Sequence, residues 1–166
     1  GFETIGVDIS ETMVEKAREL DPDGEYLLIN DGDFSNLKKD HFDLVFAAFT
    51  FDNIPDIDHR IELLRGLKGL LKSDGKMILL DSTPEIYMHE WASFSTKDFP
   101  ENKDADSGDK VKIIMKDVED RRPVEDIIWF DEDYRYLFEE SGLELIRSHK
   151  TYGKEDEPYE WINETD

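Results

Sequence analysis

Cysteine is absent from the 166 residues. Disulfides and thiolate metal sites are therefore excluded, and the composition suits the cytoplasm. Basic residues are scarce: 20 Lys and Arg stand against 42 Asp and Glu, a formal net charge of −22. Such a surface repels phosphate, so neither nucleic acid nor an anionic membrane is an expected partner. Long apolar runs are missing too, so no transmembrane helix is expected. The start, Gly1-Phe2-Glu3-Thr4, lacks the basic flank and apolar core of a targeting signal and reads like the middle of a longer chain. His41, His59 and His149 do not stand at metal-ligand spacing with acids, and no GxSxG nucleophile occurs. No metal is expected.

Hydrophobic residues make up 38% of the chain, enough for the core of one domain. Segments of strand and helix character alternate, which predicts a mostly parallel sheet with helices on its faces. Thr4 to Asp8 is a short apolar strand ending in an acid. Ser10 is a candidate N-cap for a helix carrying Met13, Val14, Ala17 and Leu20, stopped at Asp21-Pro22-Asp23-Gly24. Tyr26 to Ile29 reads as a second strand. Phe42 to Ala48 reads as a third, apolar enough for burial on both faces. Asp56 to Leu71 has the clearest helical periodicity, and Ser73-Asp74-Gly75 turns it into a strand over Lys76 to Leu80. Thr83 and Pro84 suit the start of a helix bearing Ile86, Tyr87 and Trp91. Ser95 to Lys110 is polar enough to read as a mobile loop. Val111 to Met115 and Val124 to Phe130 suit a hairpin. Asp131 suits the cap of a helix closed by Gly142, and Leu143 to His149 a last strand. Tyr159 and Trp161 stand in an acidic tail that reads as loose.

Taken in order, these pieces resemble the class I S-adenosylmethionine-dependent methyltransferases. IGVDISETMVEKAREL (Ile5 to Leu20) is similar to that family's second strand and helix. NDGDFSNL (Asn30 to Leu37) resembles the loop after its third strand, and FDLVFAAFTFDNI (Phe42 to Ile54) its fourth strand and active-site loop. LLRGLKGLLKSDGKMILLD (Leu63 to Asp81) and EDYRYLFEESGLELI (Glu132 to Ile146) resemble the later helices and strands. The resemblance implies an α/β fold: a Rossmann-like three-layer αβα sandwich with a mostly parallel sheet. Residues 84–130 form a helix-plus-hairpin lid inserted into this single domain, 1–166. The family's first strand, with its GxGxG loop, and its last strand have no counterpart here. Both lie inside the family's sheet, so unpaired strand edges and exposed apolar surface are expected, as in a trimmed chain.

The resemblance also implies site residues. Asp8 would bind the ribose hydroxyls of S-adenosylmethionine, and Ile9 would pack on adenine. Asp33 would meet the adenine amino group, with the backbone of Phe34 beside the ring. Ala48 and Phe49, with Thr50, would line the methionine part. Ordinary readings stand beside these. Asp8 lies near a helix start, Ile9 suits plain core packing, and Asp31-Gly32-Asp33 suits a turn. Phe51, Asn53, Tyr87, Trp91 and Trp129 are candidates for the acceptor pocket, although aromatics as often pack a lid onto its body. His89 is a candidate general base. No catalytic residue is assigned, because methyl transfer chiefly needs alignment and exclusion of water. The stretch Ala48-Phe49-Thr50-Phe51 lacks the Asn/Asp-Pro-Pro-Tyr/Phe signature of DNA-adenine and protein-glutamine methylation. The expected function is methyl transfer to a small molecule. The alternatives are a non-catalytic methyltransferase-like module completing a partner, and an NAD-dependent oxidoreductase.

Overall fold

Two parallel strand pairs carry the body in a computed structural model that describes residues 1–150. β1 (Ile5–Asp8) pairs with β2 (Glu25–Leu28) in the register Val7 to Leu27. β3 (Phe42–Ala48) pairs with β4 (Leu71–Leu80) in the register Phe46 to Ile78. No ladder joins β1 to β3 among the described residues. The sheet is split where the resemblance lacks an interior strand.

Each helix has a local cause. α1 (Glu11–Leu20) starts at Ser10, whose hydroxyl accepts from the Met13 amide, and it buries Val14. α2 (Ile57–Lys68) starts at Asp56, whose Oδ1 accepts from the His59 amide at 2.9 Å. Its Ile61, Leu63 and Leu64 form the main core with Phe51 and with Leu137 of α4 (Asp131–Ser141). α4 ends at Gly142, whose φ of 71° is the left-handed conformation that glycine adopts freely. Asp131 is the first helical residue of α4 rather than its cap. Asp133 instead reaches back to accept from the Phe130 amide at 2.8 Å.

Residues 84–130 hold a smaller unit with its own core. β6 (Lys110–Met115) pairs antiparallel with β7 (Val124–Ile127), as the hairpin expectation required. β5 (Phe94–Ser95) adds to the other edge of β6. Tyr87, Val111, Ile113 and Ile128 are its buried centre.

Several expectations need correction. α2 stops at Lys68, and Leu71 already belongs to β4, with residues 72–75 bulging out of the ladder. The helix after Pro84 is only α3 (Glu85–Met88), so Trp91 lies beyond it. Pro84, not Thr83, is the residue before α3. The stretch from Ser95 to Lys110 is no featureless loop. It contains a 3₁₀ turn, Pro100–Asp104, anchored by Asn102, which is 2% exposed. The Asn102 amide donates to the Tyr87 and Lys112 carbonyls, and its oxygen accepts from the Lys112 amide. Leu143 to His149 forms no strand, because no described strand pairs with it. β3 is covered on one face only. Ala47 packs toward α2, whereas Leu44 and Phe46 are open, Phe46 at 61% exposure. Tyr159 and Trp161 lie outside the described residues.

Candidate active site

The unpaired edges of β1 and β3 face a cleft of about 620 Å³. One face of α2 closes its side, through His59, Leu63 and Leu67. Open α/β sheets bind ligands outside the carboxyl ends of their strands, and those ends supply Asp8 and Ala48 here. Asp8 Oδ1 accepts from the Ser10 amide at 2.8 Å, which fixes the carboxylate at the start of α1. Ile9 lines the same cleft with 63% of its surface exposed, so it is not consumed by core packing.

The turn after β2 also contributes to the lining. Asp31, Gly32 and Phe34 line the cleft, whereas Asp33 stands outside its lining. Asp33 Oδ1 accepts from the Ser35 amide at 3.0 Å. Hydrogen bonds from Ser35 hold the Asp33 carboxyl below the usual carboxylate range. The Phe34 ring turns inward and covers Gly66 of α2. Past β3, Ala48, Thr50, Phe51 and Asn53 line the cleft. Phe49 does not; it sits at φ 54°, a strained conformation for a bulky residue, and is exposed.

A second constellation joins the body to the 84–130 unit. Arg60 of α2 is 0% exposed. Its Cζ lies 4.6 Å from the Trp129 ring centre, 5.0 Å from Tyr134 and 5.6 Å from Phe51. These three aromatic faces share a cation held out of water. Arg60 Nη2 donates to the Tyr134 hydroxyl at 3.2 Å. Asp52 accepts from the Ser82 hydroxyl at 2.8 Å, and its carbonyl accepts from the Ile127 amide at 2.7 Å. Tyr87 donates to Asp126 at 3.2 Å. Burial and the neighbouring Asp52 push the Asp81 carboxyl up to about 6, with Arg60 opposing. Burial also raises Asp126, Tyr87 and Tyr134.

The structure distributes the candidate acceptor residues rather than gathering them. Phe51 and Asn53 line the first cleft. Trp129 lines a separate cleft, along β4 and residues 143–150. Tyr87 sits in the core of the smaller unit, and Trp91 packs on Phe94 at 5.5 Å. Neither of these lines either cleft. Packing accounts for Tyr87, Trp91 and Trp129. His89 is exposed and lines neither cleft, which leaves it no contact suited to a general base.

Two features escaped the sequence reading. His59 Nε2 meets Asp31 Oδ2 at 2.9 Å across 28 residues. Position 59 on the clearest amphipathic helix was the available signal, but its partner was not. Arg60 was equally hidden, since an Arg within a charged helix normally reads as solvent-exposed.

Residues 1–79 match the family model described as a methyltransferase domain. Over 83 residues the chain is 32% identical to a demethylmenaquinone methyltransferase of Staphylococcus saprophyticus, covering 49% of this chain and 34% of that protein. It thus spans about a third of the length of that curated relative. Among solved structures, the CcbJ methyltransferase of Streptomyces caelestis superposes with a TM-score of 0.64 at 20% identity, over 89% of this chain and 66% of that one. The PH0226 protein of Pyrococcus horikoshii gives 0.60 at 19% identity, over 84% and 62%. A methyltransferase of Clostridium acetobutylicum, described as S-adenosylmethionine-dependent, gives 0.59 at 14% identity, over 93% and 71%. Residues 1–79 thus carry the sequence pattern of a methyltransferase domain, and most of the chain shares the fold of these solved structures.

Proposed function

We propose that this chain transfers a methyl group from S-adenosylmethionine to a small-molecule acceptor. The observation that carries the reading is the strand-end cleft, which gathers Asp8 and the exposed Ile9 with Asp31, Gly32 and Phe34 of the turn after β2 and with Ala48, Thr50, Phe51 and Asn53 after β3. Its volume of about 620 Å³ falls within the roughly 300–1,000 Å³ of small-molecule sites. The residues present fit the cofactor's chemistry. A fixed carboxylate suits a vicinal diol, and an exposed isoleucine suits a planar ring.

Asp8 would accept hydrogen bonds from the ribose, and Ile9 would pack on the base. The Phe34 backbone would meet the base edge from the turn after β2, whereas Asp33, outside the lining, braces that turn through Ser35. Ala48 would flank the amino-acid end. Bound S-adenosylmethionine supplies an electrophilic methyl on a positively charged sulfur, so the leaving group needs no protonation by the protein. The work left to the chain is to orient the acceptor and keep water out. In this reading residues 84–130 form the cap, tied to the body by Arg60, Asp52 and Trp129. Phe51 and Asn53 are the acceptor-side residues nearest the cofactor cleft.

No described helix is long and apolar enough to cross a membrane. The cytoplasm as location, and the lack of nucleic-acid and membrane partners, belong to the proposal and rest on charge and cysteine content.

A second reading, a non-catalytic module completed by a partner's strand, is favoured by the unpaired edges of β1 and β3. Thermal unfolding with added S-adenosylmethionine, and with NAD in parallel, separates the readings. A shift with S-adenosylmethionine alone supports the methyltransferase. A shift with NAD alone would favour an oxidoreductase, and none with either would favour the module.

A further inference from the structure

The turn that carries Asp33 and Phe34 is docked on α2 at three points. Asp31 receives His59 at 2.9 Å. Gly32 lies over Leu63, whose Cδ2 would be 3.5 Å from a Cβ at that position. The Phe34 ring lies over Gly66, close enough that a Cβ there would meet it at 2.7 Å. The receiving positions 59, 63 and 66 follow the i, i+4, i+7 spacing of one helical face. Three residues of the turn thus read one stripe of the helix in step.

The three contacts differ in kind. Two are apolar and short in reach. The third is a hydrogen bond between a carboxylate and an imidazole, and it sits at the end of the stripe where α2 begins. The backbone there is already satisfied, because the His59 amide donates to the Asp56 cap. The imidazole is therefore free to serve the turn. Both members of the pair line the cleft. The turn is otherwise held by its own bonds, from the Asp33 amide to the Asn30 carbonyl and from the Ser35 amide to Asp33 Oδ1. Those fix its shape but not its distance from α2.

We propose that His59 and Asp31 are a positioning pair that sets the Asp31–Phe34 turn against α2 and thereby sets the affinity of the cleft for the nucleoside end of its ligand. The proposal rests on the methyltransferase reading for the identity of that ligand, but the positioning itself does not depend on it. Neither residue reacts; His59 acts through Asp31 and the turn.

The test compares the wild-type chain with His59→Ala, His59→Gln and Asp31→Ala. Native-state hydrogen exchange at Asp33, Ser35 and Leu37 reads the turn, and exchange in β3 and β4 reads global stability. Loss of a single hydrogen bond corresponds to roughly a three- to tenfold effect. His59→Ala and Asp31→Ala are expected to speed exchange in the turn by about that factor, with β3 and β4 unchanged. His59→Gln keeps a donor for Asp31 and is expected to restore protection. In parallel, calorimetric titration with S-adenosylmethionine is expected to show roughly three- to tenfold weaker binding for both alanine variants and recovery with Gln. Unchanged exchange in the turn of both alanine variants would overturn the proposal, as would unaltered affinity despite faster exchange. Asp31→Ala, at an exposed turn position, keeps the comparison available if His59→Ala unfolds. Failure of every chain, wild type included, to bind S-adenosylmethionine would overturn both the assigned ligand and the affinity role. Exchange would then still decide whether the pair positions the turn.

Discussion

Replacing Asp81 by Asn is expected to stabilise the protein, by an amount that grows as pH rises from the ordinary carboxylate range through about 6. Asp81 follows β4 and is largely withdrawn from water beside Asp52, with Oδ1 lacking any hydrogen-bond partner among the described residues. Burial raises its carboxyl to about 6 from an ordinary 3.8, despite Arg60 and the Phe51 amide nearby. A carboxyl raised on folding binds its proton more tightly in the native state. Its stabilising contribution is complete below 3.8 and is lost as pH rises through about 6. Holding the charged form above that pH costs roughly 3 kcal/mol, at about 1.4 kcal/mol per tenfold change. Asn keeps the shape and removes the charge. Urea unfolding of both proteins should therefore differ by about 3 kcal/mol at pH 8, by about half that near pH 5, and by under about 1 kcal/mol near pH 4. A difference that stays flat across this range would refute the argument. So would a variant less stable than wild type at pH 8, because the buried carboxylate would then be serving as a needed partner.

Three further outcomes follow from the packing and the site. Asn102→Ala leaves the Tyr87 and Lys112 carbonyls and the Lys112 amide without their side-chain partner, and should cost about 2–4 kcal/mol in urea unfolding. Gly66→Ala gains about 1 kcal/mol of helix propensity but drives a methyl into the Phe34 ring, so a net loss of roughly 1 kcal/mol is expected from overpacking. A rise in unfolding midpoint would mean that the ring yields freely. His59→Ala should loosen the Asp31–Phe34 turn without lowering exchange protection in β3 and β4.

Local rules carried much of the fold. The cap at Ser10, the αL glycine at Gly142 and the β6–β7 hairpin follow from short-range chemistry, and the structure shows each of them. Elements that depend on distant partners were less legible. Leu143 to His149 has strand composition but no described strand to pair with. β3 has the composition of a doubly buried strand, yet only one face is packed. The Ser95 to Lys110 stretch looks like solvent-seeking chain by composition, but one buried amide, Asn102, pins it to β6. The site divides the same way. Of the cofactor residues that the family resemblance implied, Asp8, Ile9, Phe34 and Ala48 line the cleft, whereas Asp33 and Phe49 do not. The partners of His59 and Arg60 come from elements far along the chain, and no local pattern announces them.

The central claim is that the β1–β3 cleft binds S-adenosylmethionine through the carboxylate of Asp8. The direct measurement is calorimetric titration of S-adenosylmethionine into the wild-type chain and into Asp8→Ala, both shown to be folded by circular dichroism. Losing hydrogen bonds to a charged group should weaken binding by roughly 10- to 150-fold. Saturable binding by the wild type, with that loss in the variant, is the predicted result. Equal affinity in the two proteins, or no binding by the folded wild-type chain, would contradict the account.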